Sequence, residues 1–355
     1  MKSLKSDIKK IDKFGIFDEY DNWAEHAKET IKIDPEVPEN KDIDNILFLG
    51  LGGSATTGDI IQSWLEHELK VNFAVSRDYR LPQYVNKNSL IIAASISGET
   101  NEVINASIEA KKRGAKILTI SSGGKLEKIS KKMNINHTKI KMRIVPRVSL
   151  LSILIPAIKI LNNMDLIENP KKDLEAMIYA INKKKAKISY KNTIENNTAI
   201  KLAKKIEGTM PSIYSSYSLS PAGYRFKASL NENSKVRAIH VTLPELCHNE
   251  IQSWGIEKKD FPVPGGPVIP RPIFLLDSKQ TKEEKNRFET LKFLLNKIDI
   301  KPIEVKTTGT RYLEKIVGMI YELDYVSLYL SILRNIDPTP TPHIDEFKRI
   351  LKKLD

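Results

Sequence analysis

Apolar positions along the first half of the chain follow two alternating rhythms. Short apolar runs at 46–50, 71–75, 90–95 and 115–121 have the length and branched content of strands. Between them, 58–68, 100–113 and 126–132 repeat their apolar residues at helical spacing, with Val103, Ile104 and Ile108 on one face. Residues 137–142 read as a further extended segment. A buried helix at 148–163 and Lys-rich helical segments at 173–185 and 197–205 interrupt the pattern, which then resumes. Strands are expected at 212–216, 238–241, 273–277 and 302–307, and helices at 281–297 and 311–334. Residues 260–271, rich in Pro and Gly, read as a loop, and the Pro-rich crossing 337–342 leads into a last helix at 344–354. Strands alternating with helices predict an α/β chain with parallel sheets flanked by helices. The expected division is a first domain over 1–165, a helical connector over 166–195, a second domain over 196–340 and a C-terminal helix over 341–355.

Composition narrows the partners. A length of 355 residues and a hydrophobic fraction of 41% suffice for two cores. The net charge of +13 suits an anionic partner. The basic runs at 111–113, 183–187 and 352–353 are short and share helices with Glu and Asp, so they read as solvated faces. No nucleic-acid motif or aromatic-interleaved basic stripe occurs, so a small phosphate ester is expected rather than nucleic acid. The single cysteine, Cys247, excludes an intramolecular disulfide and a thiolate zinc cluster. His26, His67, His137, His240, His248 and His343 show no helical metal-site spacing, so no metal and no cofactor are expected, although carboxylate sites stay open. The N-terminal 17 residues lack the apolar core of a secretory signal. The longest apolar stretch, 148–161, is too short for a bilayer and contains Pro156 and Lys159. A cytoplasmic protein without a membrane partner is expected.

Parallel sheets place ligands beyond the carboxyl ends of their strands. Gly50-Leu51-Gly52-Gly53-Ser54 follows the first strand. Its glycines allow close backbone approach and the next helix offers free N–H groups, but it serves equally as a tight turn. The second turn is more specific. Ser95, Ser97 and Thr100 surround Gly98 where a helix begins, and three hydroxyls exceed what N-capping needs. No Walker-type lysine accompanies it, which excludes a P-loop. Farther on lie Leu230-Asn231-Glu232-Asn233-Ser234-Lys235 and Glu245-Leu246-Cys247-His248-Asn249-Glu250. Moving a proton during a reaction needs a carboxylate, a second acid–base group and a cation for the negative charge that develops. Glu232, His248 and an Arg or Lys are candidates. Taken singly, Glu232 also reads as a solvated surface residue and His248 as structural.

Ser95-Ile96-Ser97-Gly98-Glu99-Thr100-Asn101-Glu102 resembles the signature of the sugar isomerase (SIS) domain, and Gly50 to Ser54 fits that family's first turn. The resemblance implies two flavodoxin-like sheets, with Ser54, Ser95, Ser97 and Thr100 as phosphate ligands and Gly53 beside the substrate. Five further blocks stand in order: Val145-Pro146-Arg147, Tyr224-Arg225-Phe226-Lys227, Asn231-Glu232-Asn233, His248-Asn249-Glu250, and Asp337-Pro338-Thr339-Pro340 followed by Ile344-Asp345-Glu346-Phe347-Lys348. Together they are similar to the bifunctional phosphoglucose/phosphomannose isomerase family. That similarity implies metal-independent, reversible isomerisation of glucose 6-phosphate and mannose 6-phosphate with fructose 6-phosphate through a cis-enediol. It also implies a homodimer. Glu232 is then the base between C1 and C2, and Arg147 faces the enediolate. His248 serves ring opening from the neighbouring subunit, and Lys348, on a last helix returning to the site, assists it. Thr341, with Thr339 as the alternative, admits both C2 epimers. Ala55 departs from the glycine common in the family's first turn. An isomerase of another phosphosugar and a non-catalytic sugar-phosphate sensor are the other readings; a sensor needs the Ser95 turn but not Glu232, His248 and Lys348 together.

Overall fold

The computed structural model describes residues 2–39, 42–192, 196–255 and 270–354. The chain opens with helices α1 (Lys2–Ile11), α2 (Ile16–Asp21) and α3 (Trp23–Ile31). Then come β1 (Asn45–Leu49), α4 (Gly53–Leu65), β2 (Asn72–Ser76), β3 (Ser89–Ser95), α5 (Asn101–Lys112), β4 (Lys116–Ser121), α6 (Gly124–Lys132) and β5 (Asn136–Lys139). Their strands form a five-stranded parallel sheet in the order β2-β1-β3-β4-β5. A 3₁₀ turn at Pro146–Ser149 leads into α7 (Leu150–Asn163), α8 (Lys171–Ile188) and α9 (Thr198–Ile206). The second sheet is built by β6 (Met210–Ser215), α10 (Ser220–Ser229), β7 (Ile239–Thr242), β8 (Pro270–Leu276), α11 (Lys282–Lys297) and β9 (Ile303–Lys306). It is parallel too, in the order β7-β6-β8-β9. Helices α12 (Tyr312–Leu333) and α13 (Pro342–Leu351) close the chain. The first order is flavodoxin-like, and the second repeats it without the outermost strand. Every strand expected from the apolar pattern is present, with ends displaced by a few residues.

Two-residue alternation sorts strand side chains to opposite faces. Leu47, Leu49, Ile91, Ala93 and Ile117 meet Val103, Ala106 and Ala110 of α5 and Leu126 of α6. The intervening Ile46, Phe48, Leu90, Ile92, Leu118 and Ile120 face the other way, onto α4 and α7. That second cluster runs on through α12 to Ile213, Ile273 and Leu275 of the second sheet, so one core layer joins the two sheets, while the second sheet keeps a separate cluster of its own around Tyr214, Phe274 and Phe288. Each fully buried Leu, Ile or Phe stabilises by roughly 1.5–3 kcal/mol, so this shared layer resists separation of the sheets. It also explains why α7 and α12 are apolar on nearly every side. Every residue from Ile316 to Ile332 of α12 is buried; the helix is long and apolar enough to cross a bilayer, but here it is a core helix.

Three local expectations change. Helix α4 begins at Gly53, not at 58, because Gly52 takes φ 52° and turns the chain straight from strand to helix. The Gly, Ser and Thr residues that resembled a loop are its first turns. Of the loop expected at 260–271, residues 260–269 lie outside the described residues, while Pro270 and Arg271 open β8. The prolines at 270 and 272 are tolerated because β9 starts pairing only at Ile273. The N-terminal segment is helical and enters the core through Ile16, Phe17, Tyr20 and Trp23.

Two of the histidines are structural. His240 on β7 shares a 3.0 Å hydrogen bond with the Ser215 hydroxyl, and His26 on α3 is buried. Withdrawal from water, then a neighbouring cation (Lys227 for His240, Arg143 for His26), pushes each down to about 4. The unfolded chain, with an ordinary pKa of about 6.5, therefore binds these protons first. Stability from the pair is complete above about pH 6.5 and is lost as pH falls towards about 4. Urea unfolding across this window should lose up to about 3 kcal/mol per histidine. His240→Gln should flatten the slope; an unchanged slope would mean that His240 is not held neutral.

Candidate active site

Strand register brings three strand-to-helix turns to one edge. Leu49 lies opposite Ala93, and Ser95 opposite Ser121. The turns after β1, β3 and β4 therefore stand side by side at the carboxyl ends. In the middle turn the Ser95 and Thr100 hydroxyls lie 2.8 Å apart. The Gly98 N–H donates to Ser95 Oγ at 3.1 Å, and the Glu99 N–H to Ser97 Oγ at 3.3 Å. Ser54 and Ser95 are buried, Thr100 is half-buried and Ser97 is exposed. Gly98 has φ 68°, and a Cβ there would lie 1.9 Å from the Gly123 carbonyl oxygen. Only glycine lets the second and third turns close on each other. The Ser122 hydroxyl donates to Ile96 O at 2.7 Å, and the Leu126 N–H to Gly98 O at 2.9 Å. Ser121-Ser122-Gly123-Gly124 thus braces the hydroxyl turn. The sequence reading passed over it, although it carries the same Ser/Gly signal at a strand end.

Arg147 sits in the 3₁₀ turn after the first sheet and is 6% exposed. Its Nε donates to Asn233 Oδ1 at 2.7 Å, and Nη1 lies 3.5 Å from Glu232 Oε2. Its Nη2 donates to the carbonyls of Pro338 at 2.7 Å and Thr339 at 2.8 Å. Glu232 and Asn233 belong to a π-type turn, Leu230–Ser234, that extends α10. Such turns recur at functional sites. One guanidinium therefore gathers the Val145 block, the Asn-Glu-Asn block and the Pro-rich crossing. Burial lowers the Arg147 pKa and the Glu232 carboxylate opposes that shift.

Behind Arg147 stands a second guanidinium. Arg225 Nη2 donates to the Arg147 carbonyl at 2.6 Å and to Asp324 Oδ2 at 3.0 Å. Asp324 also accepts from Ser229 at 2.5 Å and from Tyr20 at 3.0 Å. Burial opposes the Arg225 charge, but Asp324 and Tyr20 outweigh it and hold its pKa above the usual value. A Cβ on Gly53 would lie 3.3 Å from Arg225 Nη1 and 4.0 Å from Arg147 Cα. The first turn therefore rests on both arginines. Trp23 Nε1 donates to the Val148 carbonyl at 2.7 Å, so the N-terminal helices help to fix Arg147.

Other expected residues stand apart within one chain. His248 ends the 3₁₀ turn Glu245–His248 and is exposed. Lys348 is exposed on α13, which has no buried residue and turns Ile344, Phe347, Ile350 and Leu351 to solvent. No hydrogen bond among the described residues joins either to Glu232 or Arg147. Thr341 is half-buried at the start of α13, whereas Thr339 is 7% exposed. Thr339 Oγ1 has no hydrogen-bond partner among the described residues. Lys235, which sequence reasoning left in the polar cluster without a role, directs its Nζ to the Glu232 carbonyl at 2.6 Å. Among the described residues no group of three or more His, Cys, Asp or Glu is arranged to hold a metal ion.

Paired parallel sheets, a hydroxyl turn on one and an arginine–carboxylate contact reaching the other define the class of two-domain sugar isomerase folds. Residues 41–155 match the SIS domain family, and residues 195–351 match the family described as the bacterial phospho-glucose isomerase C-terminal SIS domain. A bifunctional phosphoglucose/phosphomannose isomerase from Caldicellulosiruptor bescii is 31% identical over 343 residues, 96% of this chain and 99% of that protein. A D-glucosamine-6-phosphate 4-epimerase from Sulfolobus acidocaldarius is 27% identical over 246 residues, 69% of this chain and 74% of that one. A solved hypothetical protein from Thermus thermophilus shares the fold, with TM-score 0.74 at 12% identity over 99% of this chain and 93% of its own. The chain belongs to the bifunctional phosphoglucose/phosphomannose isomerase family and is a sugar-phosphate isomerase.

The support beneath Arg147 can be measured. Asp324→Ala leaves the Arg225 charge buried without its carboxylate and should cost about 3–5 kcal/mol in urea unfolding. Replacing both, Arg225→Met with Asp324→Leu, should recover most of that loss. A single-mutant cost below about 1 kcal/mol would mean that water, not Asp324, compensates Arg225.

Proposed function

We propose that the protein interconverts glucose 6-phosphate and mannose 6-phosphate with fructose 6-phosphate, without metal, through a cis-enediol intermediate. The observation that carries this reading is the 3.5 Å contact of Arg147 with Glu232 beside the braced Gly53 and Ser95 turns. Ser54, Ser95, Ser97 and Thr100, with N–H groups at the starts of α4 and α5, bind the phosphate. Glu232 removes the C2 proton of the opened aldose and returns it to C1 of the enediol, giving the ketose. Arg147 stabilises the negative charge on the enediolate oxygens. Such a base contributes roughly 10²–10⁴-fold, and the guanidinium a comparable factor. The net charge of +13 draws the dianionic substrate. His248 and Lys348 open the ring. Both are exposed on the single chain, which supports a homodimer in which His248 enters the neighbouring site. Thr341, or Thr339 beside it, accommodates both epimers. The enzyme acts in the cytoplasm. A different phosphosugar is the second reading, favoured by the epimerase relative.

Wild-type protein should convert both aldose phosphates at rates that a chelator leaves unchanged. Glu232→Gln should lower kcat by roughly 10²–10⁴-fold on both. A mutant retaining activity would remove Glu232 as the base, and chelator inhibition would remove the metal-free mechanism. Turnover of an aminosugar phosphate instead would favour the second reading.

Mixing Glu232→Gln and His248→Ala chains tests the shared site. Mixed dimers should regain part of the activity, since one of their sites keeps both intact residues. No recovery in verified mixed dimers would assign Glu232 and His248 of each site to one chain.

A further inference from the structure

Lys235 closes the turn that carries Glu232, in the left-handed conformation at φ 55°. The stem is exposed, but the ammonium is turned back onto carbonyl oxygens. It donates to Glu232 O at 2.6 Å and lies 3.4 Å from the carbonyls of Asn233, Asp337 and Pro338. The Pro338 carbonyl is gripped from another direction by Arg147. The crossing that carries Thr339 is therefore tied to the Glu232 turn by two cations: Lys235 through backbone oxygens of both, and Arg147 through backbone oxygens of the crossing and the side chains of Glu232 and Asn233. Hydrogen bonds from an ionised donor are roughly twice as strong as neutral ones, so the tie depends on the charge.

We propose that Lys235, as an ammonium ion, is a positioning residue of the isomerase. It clasps the crossing at 337–338 against the Glu232 turn, holding Glu232 in place relative to Arg147 and Thr339, and loss of its proton releases the crossing. The inference rests on the isomerase reading above. Partial burial, then the Arg147 cation, pushes Lys235 down to about 8, against the pull of Asp337 and Glu232. The charged groups facing it are thus Arg147 from the 3₁₀ turn, Asp337 from the crossing and Glu232 from its own turn. Carboxylates and guanidinium groups ordinarily titrate far from about pH 8. The clasp is closed below that pH and opens above it. A lysine that merely caps the carbonyls of a helix end would affect stability without a matching limb in kcat.

The test compares wild type, Lys235→Arg and Lys235→Met from about pH 6 to about pH 10, with buffers overlapped. Isomerase kcat and KM are measured beside hydrogen exchange of the Asp337, Thr339 and Thr341 amides, corrected for intrinsic rates. Wild-type kcat should fall above about pH 8 with little change in KM, over the range in which exchange protection is lost. Lys235→Arg, charged throughout, should keep kcat and shift both transitions upward by at least about one pH unit. Lys235→Met should lose roughly tenfold in kcat at every pH and lack the protection. Wild-type kcat and protection in Lys235→Met, or transitions unmoved in Lys235→Arg, would overturn the proposal. If wild type turns over none of the sugar phosphates, the functional reading fails. The exchange measurement then decides the clasp alone: protection lost in Lys235→Met upholds it, and protection kept removes it.

Discussion

Arg225 and Asp324 meet almost without solvent, at 3% and 0% exposure, and the geometry of the site hangs from that contact. A buried ion pair offsets its desolvation only when further hydrogen bonds complete both partners. Asp324 receives them from Ser229 and Tyr20. Arg225 turns its remaining donor capacity to the Arg147 carbonyl and faces the Gly53 backbone. An apolar pair of equal volume would serve stability as well. It would not hold a peptide carbonyl in a fixed direction. The pair joins α10, α12, α2 and the 3₁₀ turn at one point, and fixes the first sheet's turns relative to residues carried by the second.

The same constraint keeps the Arg147 charge available. Three of its partners, Asn233, Pro338 and Thr339, are neutral oxygens, and its carboxylate contact is the long one at 3.5 Å. The guanidinium is thus oriented without being closely neutralised. A preorganised cation of this kind acts most strongly on charge that appears during a reaction. The π-type turn presents the consecutive residues Glu232 and Asn233 to one arginine.

Legibility in the sequence followed the range of the interactions. The strands and the Ser95 turn were readable because their signals are local: an apolar run, hydroxyls and a glycine within a few residues. Helix α4 was cut short because Ser54 to Thr57 have loop composition, and only the backbone at Gly52 shows them to be helical. Glu232 stood among the candidates that proton-transfer chemistry allows, but its role and the choice of Arg147 came from family resemblance; their contact spans 85 residues of sequence, and no periodicity reports it. Tyr20 and Trp23 were missed for a similar reason: Tyr20 bonds Asp324 across 304 residues, and neither belongs to a motif. The layer common to both sheets was not legible because an apolar helix does not announce which sheet it will cover. For α7 and α12 the answer is the common layer between both.

The residues expected to handle the proton divide along the same line. Glu232 and Arg147 lie at the junction that the buried pair fixes, whereas the His248 and Lys348 side chains are exposed. An isolated helix as short as α13 is marginal in water, and its Ile344, Phe347 and Ile350 are exposed. Under the proposed isomerisation the division has a chemical sense. The base and the enediolate's partner must already be rigid when the proton moves, because electrostatic stabilisation is effective only when it needs no reorganisation. Ring opening comes earlier and requires the sugar to enter first, so its acid and base can stand on exposed surface.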